Sequence, residues 1–164
     1  MTASRSPWWK GARGEWYVVA QIALFLLVVF GPKSIPGWPA RSALHMRIYA
    51  MAGSFLLAMG FLLLIAGIWQ QGSNIAAVPY PKDSAVLIKS GPYRIVRHPM
   101  YSGAILMAFG WAFFIQGGLT LIYAGILFAF FDRKARREEL WLRYRFSGYA
   151  AYRKRVNKLI PFIY

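Results

Sequence analysis

The sequence predicts an all-α polytopic membrane protein with about four transmembrane helices, the last two forming a helical hairpin, followed by a basic cytoplasmic C-terminal helix. Three observations carry that reading. The 164 residues are 58% apolar and only 15% charged, against roughly 45–50% and 25% in an ordinary globular chain. Their uncharged positions fall into runs long enough to be membrane helices. The charge that remains is one-sided: 20 Lys and Arg against 5 Asp and Glu leave a formal net charge of +15, gathered between and after those runs. With 12 Phe, 10 Tyr and 7 Trp, the chain is too aromatic for a disordered basic tail. It has no cysteine and only two histidines, His45 and His98, which excludes disulfides, a cysteine nucleophile and Cys-based zinc sites and leaves a poor ligand set for any metal.

The elements follow in order. Residues 16–30 are uncharged, with Gln21 as their one strongly polar side chain. At about 1.5 Å per residue they cover roughly 22 Å, so a crossing here needs its Trp and Gly-Pro flanks or a thinned bilayer. Arg5, Lys10 and Arg13 precede the run as in a signal peptide, but no small-x-small cleavage pattern follows, and an uncleaved first span is expected. Gly31, Pro32, Pro36, Gly37 and Pro39 then mark a loop that ends near Arg47. Residues 48–69 form the clearest span, about 33 Å of helix, matched to a core of about 30 Å. Gly53, Gly60 and Gly67 recur through it at a seven-residue spacing. That stripe either lets a neighbouring helix approach closely or reflects the general frequency of Gly in membrane helices.

Residues 70–99 are polar and broken by Gly72, Asn74, Pro79, Pro81, Gly91 and Pro92, so a loop with short structured pieces is expected. Residues 100–131 are again uncharged. As one helix they would reach about 48 Å, too long for a single perpendicular crossing. A hairpin is expected instead, with Pro99 in the first turn of its first arm and Gly117-Gly118 as its turn. Residues 132–146 lack Pro and Gly, so the second arm is expected to continue into water as one helix. Gly148 breaks it, and a basic segment over 149–158 follows. The whole chain, 1–164, reads as one membrane-embedded domain: the first two spans over 16–70, then a catalytic part over 71–164.

Four crossings put the N-terminus, the 70–99 loop and the C-terminus on one side with 3, 4 and 10 basic residues, against Lys33, Arg41 and Arg47 on the other. The richer side is read as cytoplasmic. This makes an integral membrane protein, of the inner membrane in a bacterial cell, with both termini in the cytoplasm. Folding the last two arms back at Gly117-Gly118 brings Arg97 and His98 level with residues 137–138. An Arg-His pair then faces Glu138 and Glu139 at the cytoplasmic interface, where charge is tolerated. Each residue has an ordinary reading as well. Arg97 could reach lipid phosphates, His98-Pro99 could mark a helix start, and the glutamates could pair with Lys134 and Arg143 along one helix face.

These residues carry a resemblance. Leu87-Ile88-Lys89-Ser90-Gly91-Pro92-Tyr93-Arg94-Ile95-Val96-Arg97-His98-Pro99-Met100-Tyr101-Ser102-Gly103 resembles the Gly-Pro-Tyr and Arg-His-Pro-x-Tyr-x-Gly signature of the isoprenylcysteine carboxyl methyltransferase family. Glu138-Glu139, Tyr149-x-x-Tyr152, Val156 and Leu159-Ile160-Pro161 resemble that family's C-terminal pattern, and Asn74, Pro79 and Pro81 its approach loop. The resemblance covers residues 72–161, and the compressed Phe146-Ser147-Gly148-Tyr149 departs from the family's usual spacing. It implies a membrane methyltransferase that uses S-adenosylmethionine without a Rossmann domain, and the chain has no Gly-x-Gly-x-x-Gly unit. It also implies a lipophilic or lipidated acceptor entering sideways from membrane lipid. On this resemblance Arg97, His98 and Glu138 are the expected catalytic residues. Tyr93, Arg97, His98, Pro99, Tyr101, Gly103, Glu138 and Glu139 are expected to bind the cofactor, with no metal and no nucleic acid. Arg97 and His98 would take a carboxylate of cofactor or substrate, and Glu138 or Glu139 the cofactor's ammonium or ribose. Tyr93 and Tyr101 would add hydrogen bonds or face the adenine.

Two other classes compete. A membrane sterol-type reductase has a similar C-terminal region but would bind a nicotinamide cofactor more tightly than S-adenosylhomocysteine. A non-enzymatic basic membrane protein would hold anionic lipid through its ten C-terminal cations, at about 1 kcal/mol each, and would bind no cofactor.

Overall fold

The computed structural model describes residues 14–34, 43–74 and 85–164. Arg5, Lys10, Arg13, Pro36, Gly37, Pro39, Arg41, Pro79 and Pro81 lie outside them. Five α-helices account for most of the described residues: α1 (Glu15–Phe30), α2 (Ala43–Gln71), α3 (Pro99–Phe114), α4 (Gly118–Arg145) and α5 (Tyr149–Arg155), with 3₁₀ turns at Gly72–Asn74 and Gly91–Arg94. Extended pairing among the described residues is limited to one parallel bridge between Val96 and Asn157. The all-α expectation therefore holds.

Helix boundaries follow local chemistry. Glu15 places an acid in the first turn of α1, where the helix dipole favours it. Pro99 opens α3 at its first position, where its missing N–H costs nothing. Helix α2 begins earlier than its uncharged run, because His45 and Arg47 are good enough helix residues at a solvated end. With its 3₁₀ extension it forms Ala43–Asn74, among the described residues the one helix long and apolar enough to cross a membrane; Glu15–Phe30 and Pro99–Phe114 are shorter apolar helices. Between α3 and α4 the expected Gly-Gly turn is displaced. Gln116 takes the left-handed conformation at φ 55°, while Gly117 is extended and caps α4. From Gly118 the helix runs unbroken through its apolar half and on through Asp132 to Arg145.

Helices α2 and α3 pack backbone to backbone. A methyl group on Gly60 would lie 2.7 Å from the Gly103 carbonyl oxygen, and one on Gly53 would lie 2.7 Å from that of Gly110. The glycine stripe is thus a close-approach surface, and all three of its members are buried. On the other side of α3, Ile105 and Ala108 join Ala124, Leu127 and Phe131 of α4 and Val28 of α1 in the apolar core. Aromatic contacts tie α1 to α4 through Tyr17 with Phe130 and Phe25 with Phe131, ring centroids 5.9 and 6.0 Å apart.

The residues after α5 clasp the start of α3. The backbone N–H groups of Arg97 and His98 donate to the carbonyls of Asn157 and Lys158 at 2.8 and 3.2 Å, and Ser102 Oγ donates to Leu159 O at 2.7 Å. Ahead of a helix that opens on proline, these donors would otherwise be unsatisfied. Asp132 fixes the same tail from α4 by accepting from Lys158 Nζ and from the Tyr164 hydroxyl.

Candidate active site

The clasp, the 3₁₀ turn and the lower half of α4 converge on one polar cluster. Arg97 Nε donates to Glu139 Oε1 at 2.8 Å, and its Nη1 donates to the carbonyls of Arg153 and Val156. His98 Nε2 lies 3.3 Å from the same glutamate oxygen, and Nδ1 lies 3.6 Å from Glu138 Oε2. Arg153 Nε approaches the second oxygen of Glu139 at 3.3 Å. The Glu139 side chain is 5% exposed, a burial that by itself raises a carboxyl pKa. Bonds from His98 and Arg97, and the charges behind them, overcome that and bring Glu139 down to about 2.

Glu138 faces elsewhere. Its Oε2 accepts from the Tyr101 hydroxyl at 3.0 Å, and it lines a cavity of about 250 Å³. Tyr93, Arg97, His98 and Tyr101 line the same cavity, with Leu87, Ile88, Met100 and Leu142 supplying apolar walls. The His98 and Tyr101 rings stack at 5.4 Å, and Tyr101 stacks in turn on Phe131 at 4.7 Å. These stacks fix the imidazole from one face. Tyr93 donates to Gln71, and the Tyr152 hydroxyl donates to the Tyr93 carbonyl at 2.6 Å. Burial is the main cause that pushes the Tyr93 and Tyr152 hydroxyls above the ordinary tyrosine value, Tyr152 to about 12, so both are donors at neutral pH.

Of the eight expected site residues, six lie at this cluster. Tyr93, Arg97, His98, Tyr101 and Glu138 line the cavity, and Glu139 stands behind it. Pro99 is fully buried at the helix start, close to Gly67. Gly103 does not reach the cavity; it lies at the α2 crossing, where a methyl group would meet the Gly60 carbonyl oxygen at 2.6 Å. Arg97 lines the cavity while its Nε and Nη1 donate to Glu139 and to two backbone carbonyls.

Five further polar residues line the cavity and were given no site role by the sequence reading: Gln21, Gln71, Lys134, Tyr149 and Tyr152. The tyrosines stood in a recognised pattern. Gln21 carried a usable signal, as the lone amide in an apolar run. Lys134 Nζ donates to Gln21 Oε1 at 2.6 Å and lies 5.2 Å from the Tyr101 ring centroid. Burial lowers its pKa below the ordinary lysine value, against the charge of Glu138, which raises it. The Tyr149 hydroxyl is buried and makes no hydrogen bond of ordinary geometry among the described residues.

Comparison with known proteins decides the family. Residues 48–148, which span α2 to the break after α4, match the family model described as phospholipid methyltransferase. The chain belongs to the phospholipid methyltransferase family. Among individual relatives, the protein-S-isoprenylcysteine O-methyltransferase of Saccharomyces cerevisiae is 32% identical over 126 residues, covering 70% of this chain and 53% of that protein. The Homo sapiens protein of the same name is 30% identical over 118 residues, 70% of this chain and 42% of the relative. A probable protein-S-isoprenylcysteine O-methyltransferase of Oryza sativa subsp. indica is 36% identical over 84 residues, 50% and 44% respectively. The chain therefore spans about half the length of these relatives. Their names agree with the resemblance carried by residues 87–103, and the family match takes in Arg97, His98 and both glutamates.

Proposed function

We propose that the chain is a membrane methyltransferase that moves a methyl group from S-adenosylmethionine to the carboxylate of a lipophilic, isoprenylcysteine-type acceptor. One observation carries the reading: the cavity of this family member joins a carboxylate, Glu138, held by Tyr101 and His98, to apolar walls of Leu87, Ile88 and Leu142. Such a pocket suits a polar, cationic donor and an apolar acceptor at once. The buried Tyr149 hydroxyl, which lines the cavity beside the Glu139 carboxylate and makes no hydrogen bond of ordinary geometry among the described residues, is a donor that a polar cofactor could engage, and the residues present fit the group.

In this assignment Glu138 accepts from the cofactor's ammonium or ribose hydroxyls, and Tyr149 and Tyr93 stand near as donors. Glu139 holds Arg97 and His98 in place. When bound, the cofactor would supply an electrophilic methyl group on a sulfonium whose sulfur leaves neutral, so that transfer to a carboxylate oxygen would ask no proton of the chain. A carboxylate acceptor is already ionised at neutral pH, so the chain needs no general base. Its contribution is alignment and exclusion of water by Leu87, Ile88, Met100 and Leu142.

The proposed topology is four crossings, with α3 and α4 as a hairpin and the cavity at the cytoplasmic interface. Large apolar side chains that point away from the fold on α1 and α2, among them Ile22, Leu26, Met51, Phe55, Phe61 and Leu62, support a lipid surround. So does the crowding of cations on α4 and α5 beyond residue 132. The test is incubation of detergent-purified protein with methyl-labelled S-adenosylmethionine and either N-acetyl-S-farnesylcysteine or a lipid extract. A labelled ester is the expected product. No transfer to any fraction, together with no binding of S-adenosylhomocysteine, would remove the proposal.

A further inference from the structure

Arg97 also forms part of a second cavity, of about 340 Å³. Its cationic lining is Arg97, Arg136, Arg153, Lys154 and Lys158, and no Asp or Glu among the described residues lines it. Two carboxylates outside the lining pair with four of these cations. Glu139 engages Arg97 Nε and Arg153 Nε at 2.8 and 3.3 Å, and Asp132 engages Arg136 Nε at 2.7 Å and Lys158 Nζ. Lys154 is exposed and has neither a hydrogen bond nor an ion pair among the described residues. Arg153, its side chain 47% exposed, reaches Glu139 through Nε alone. Five cations against two carboxylates leave a surplus of three positive charges around one cavity. Guanidinium forks and an ammonium at that spot match the oxygens of a phosphate group.

The depth of the cavity says where such a group would come from. The Tyr164 hydroxyl, on the same wall, accepts from Arg136 Nη2 and Lys158 Nζ at 2.6 and 2.7 Å and donates to Asp132 at 3.0 Å. Asp132 is the first charged residue after the uncharged run of α4, so the cavity begins at the level where that helix turns from apolar to charged. Backbone bonds in both directions between Ile160 and Tyr164 close a tight loop. That loop holds Phe162 in the left-handed conformation at φ 63° and leaves Phe162 and Ile163 91% and 78% exposed. Two large apolar side chains held out beside a cationic cavity mark a membrane contact; a soluble phosphate gives them nothing to bury against.

We infer that this second cavity binds the phosphate of an anionic phospholipid headgroup, in the leaflet on the side of the C-terminal segment, with Phe162 and Ile163 against the lipid's acyl chains. Basic pockets at the cytoplasmic side of membrane helices take such headgroups. The site stands apart from the cavity assigned to methyl transfer and does not depend on that reading.

The test is native mass spectrometry of the detergent-purified full chain, titrated with phosphatidylglycerol or with phosphatidylcholine of the same acyl chains. Wild type is expected to retain phosphatidylglycerol about fivefold more tightly or better, the worth of one cation near an anionic headgroup. Lys154→Glu is expected to lose that preference with its unfolding midpoint unchanged. Arg133→Glu makes the same charge change at an exposed α4 residue outside the cavity and is expected to keep it within about twofold. Equal retention of the two lipids by wild type overturns the inference, as does a preference that survives in Lys154→Glu. Equal loss in both variants also overturns it, because net charge rather than a site would then attract the lipid. Phe162→Ser is expected to weaken retention of phosphatidylglycerol. Wild type that binds glycerol phosphate as tightly as phosphatidylglycerol, with Phe162→Ser unaffected, overturns the lipid assignment in favour of a site for soluble phosphate.

Discussion

In Glu139→Gln, Arg97 keeps its burial, with a side chain 7% exposed, but loses the anion that compensates it. Breaking a buried pair from one side costs about 3–5 kcal/mol, and a loss of that order is expected in detergent unfolding followed by tryptophan fluorescence. The same residue sets an acid limit. Its folded pKa of about 2 lies below the ordinary 4.5, so its ionised form stabilises the fold fully above about pH 4.5. That contribution drains away as the pH falls from there toward 2. Wild-type stability should drop across this window and the Glu139→Gln curve should be flatter; parallel curves would contradict the assignment. Glu138 is expected to behave oppositely. Glu138→Gln should leave the unfolding midpoint within about 1 kcal/mol of wild type, since its carboxylate is partly solvated and loses one hydroxyl bond. Its S-adenosylhomocysteine affinity, read by calorimetry, should fall at least tenfold. The substitution Arg97→Ala is a poor probe of chemistry for the converse reason, because it strands Glu139.

At the scale of helices, the α2–α3 contact is the most demanding. Gly60→Ala and Gly103→Ala each push a methyl group into a facing backbone, where nothing yields without moving a helix. A cost of about 1–3 kcal/mol is expected for each. Gly67→Ala meets the flexible Met100 side chain at 2.9 Å and should cost less. Equal effects at Gly60 and Gly67 in the same unfolding assay would argue against backbone contact as the cause. This stripe was visible in the sequence as a spacing, but its meaning was open, because spacing does not say whether a partner has a gap opposite. Helix positions were legible wherever an uncharged run had a hard stop, as at Pro99. The turn was less so: Gln116 takes the left-handed position beside two glycines that could have done so, since local preference is weak against the packing of two long arms. The Arg97, His98 and Glu139 cluster was legible by counting back along the two arms expected to fold together at Gly117-Gly118. Which glutamate faces inward did not follow, because adjacent helix residues differ by about 100° in direction and only the crossing of α4 past the 157–159 clasp selects one. Gln21 and Gln71 enter the cavity from helices distant in sequence; Gln21 was marked by standing alone in an apolar run, whereas no local pattern announces Gln71.

For the whole molecule, topology is the measurable quantity. The chain has no cysteine, so single cysteines at the exposed Ser34 and Ser147 give a clean labelling experiment in intact cells and in inverted vesicles. With four crossings, Ser34→Cys should react with an impermeant maleimide from outside and Ser147→Cys only in inverted vesicles. Labelling of both from the same side would remove the four-span arrangement.

The clasp between residues 96–98 and 157–159 bears on the timing of biogenesis. Two amides beside the cavity find their acceptors some sixty positions later in the chain, so the pocket cannot close until translation has passed residue 158. Until then α3 and α4 stand with a half-made site between them, and any quality-control step that senses that open corner would be sampling the protein before it can hold a ligand.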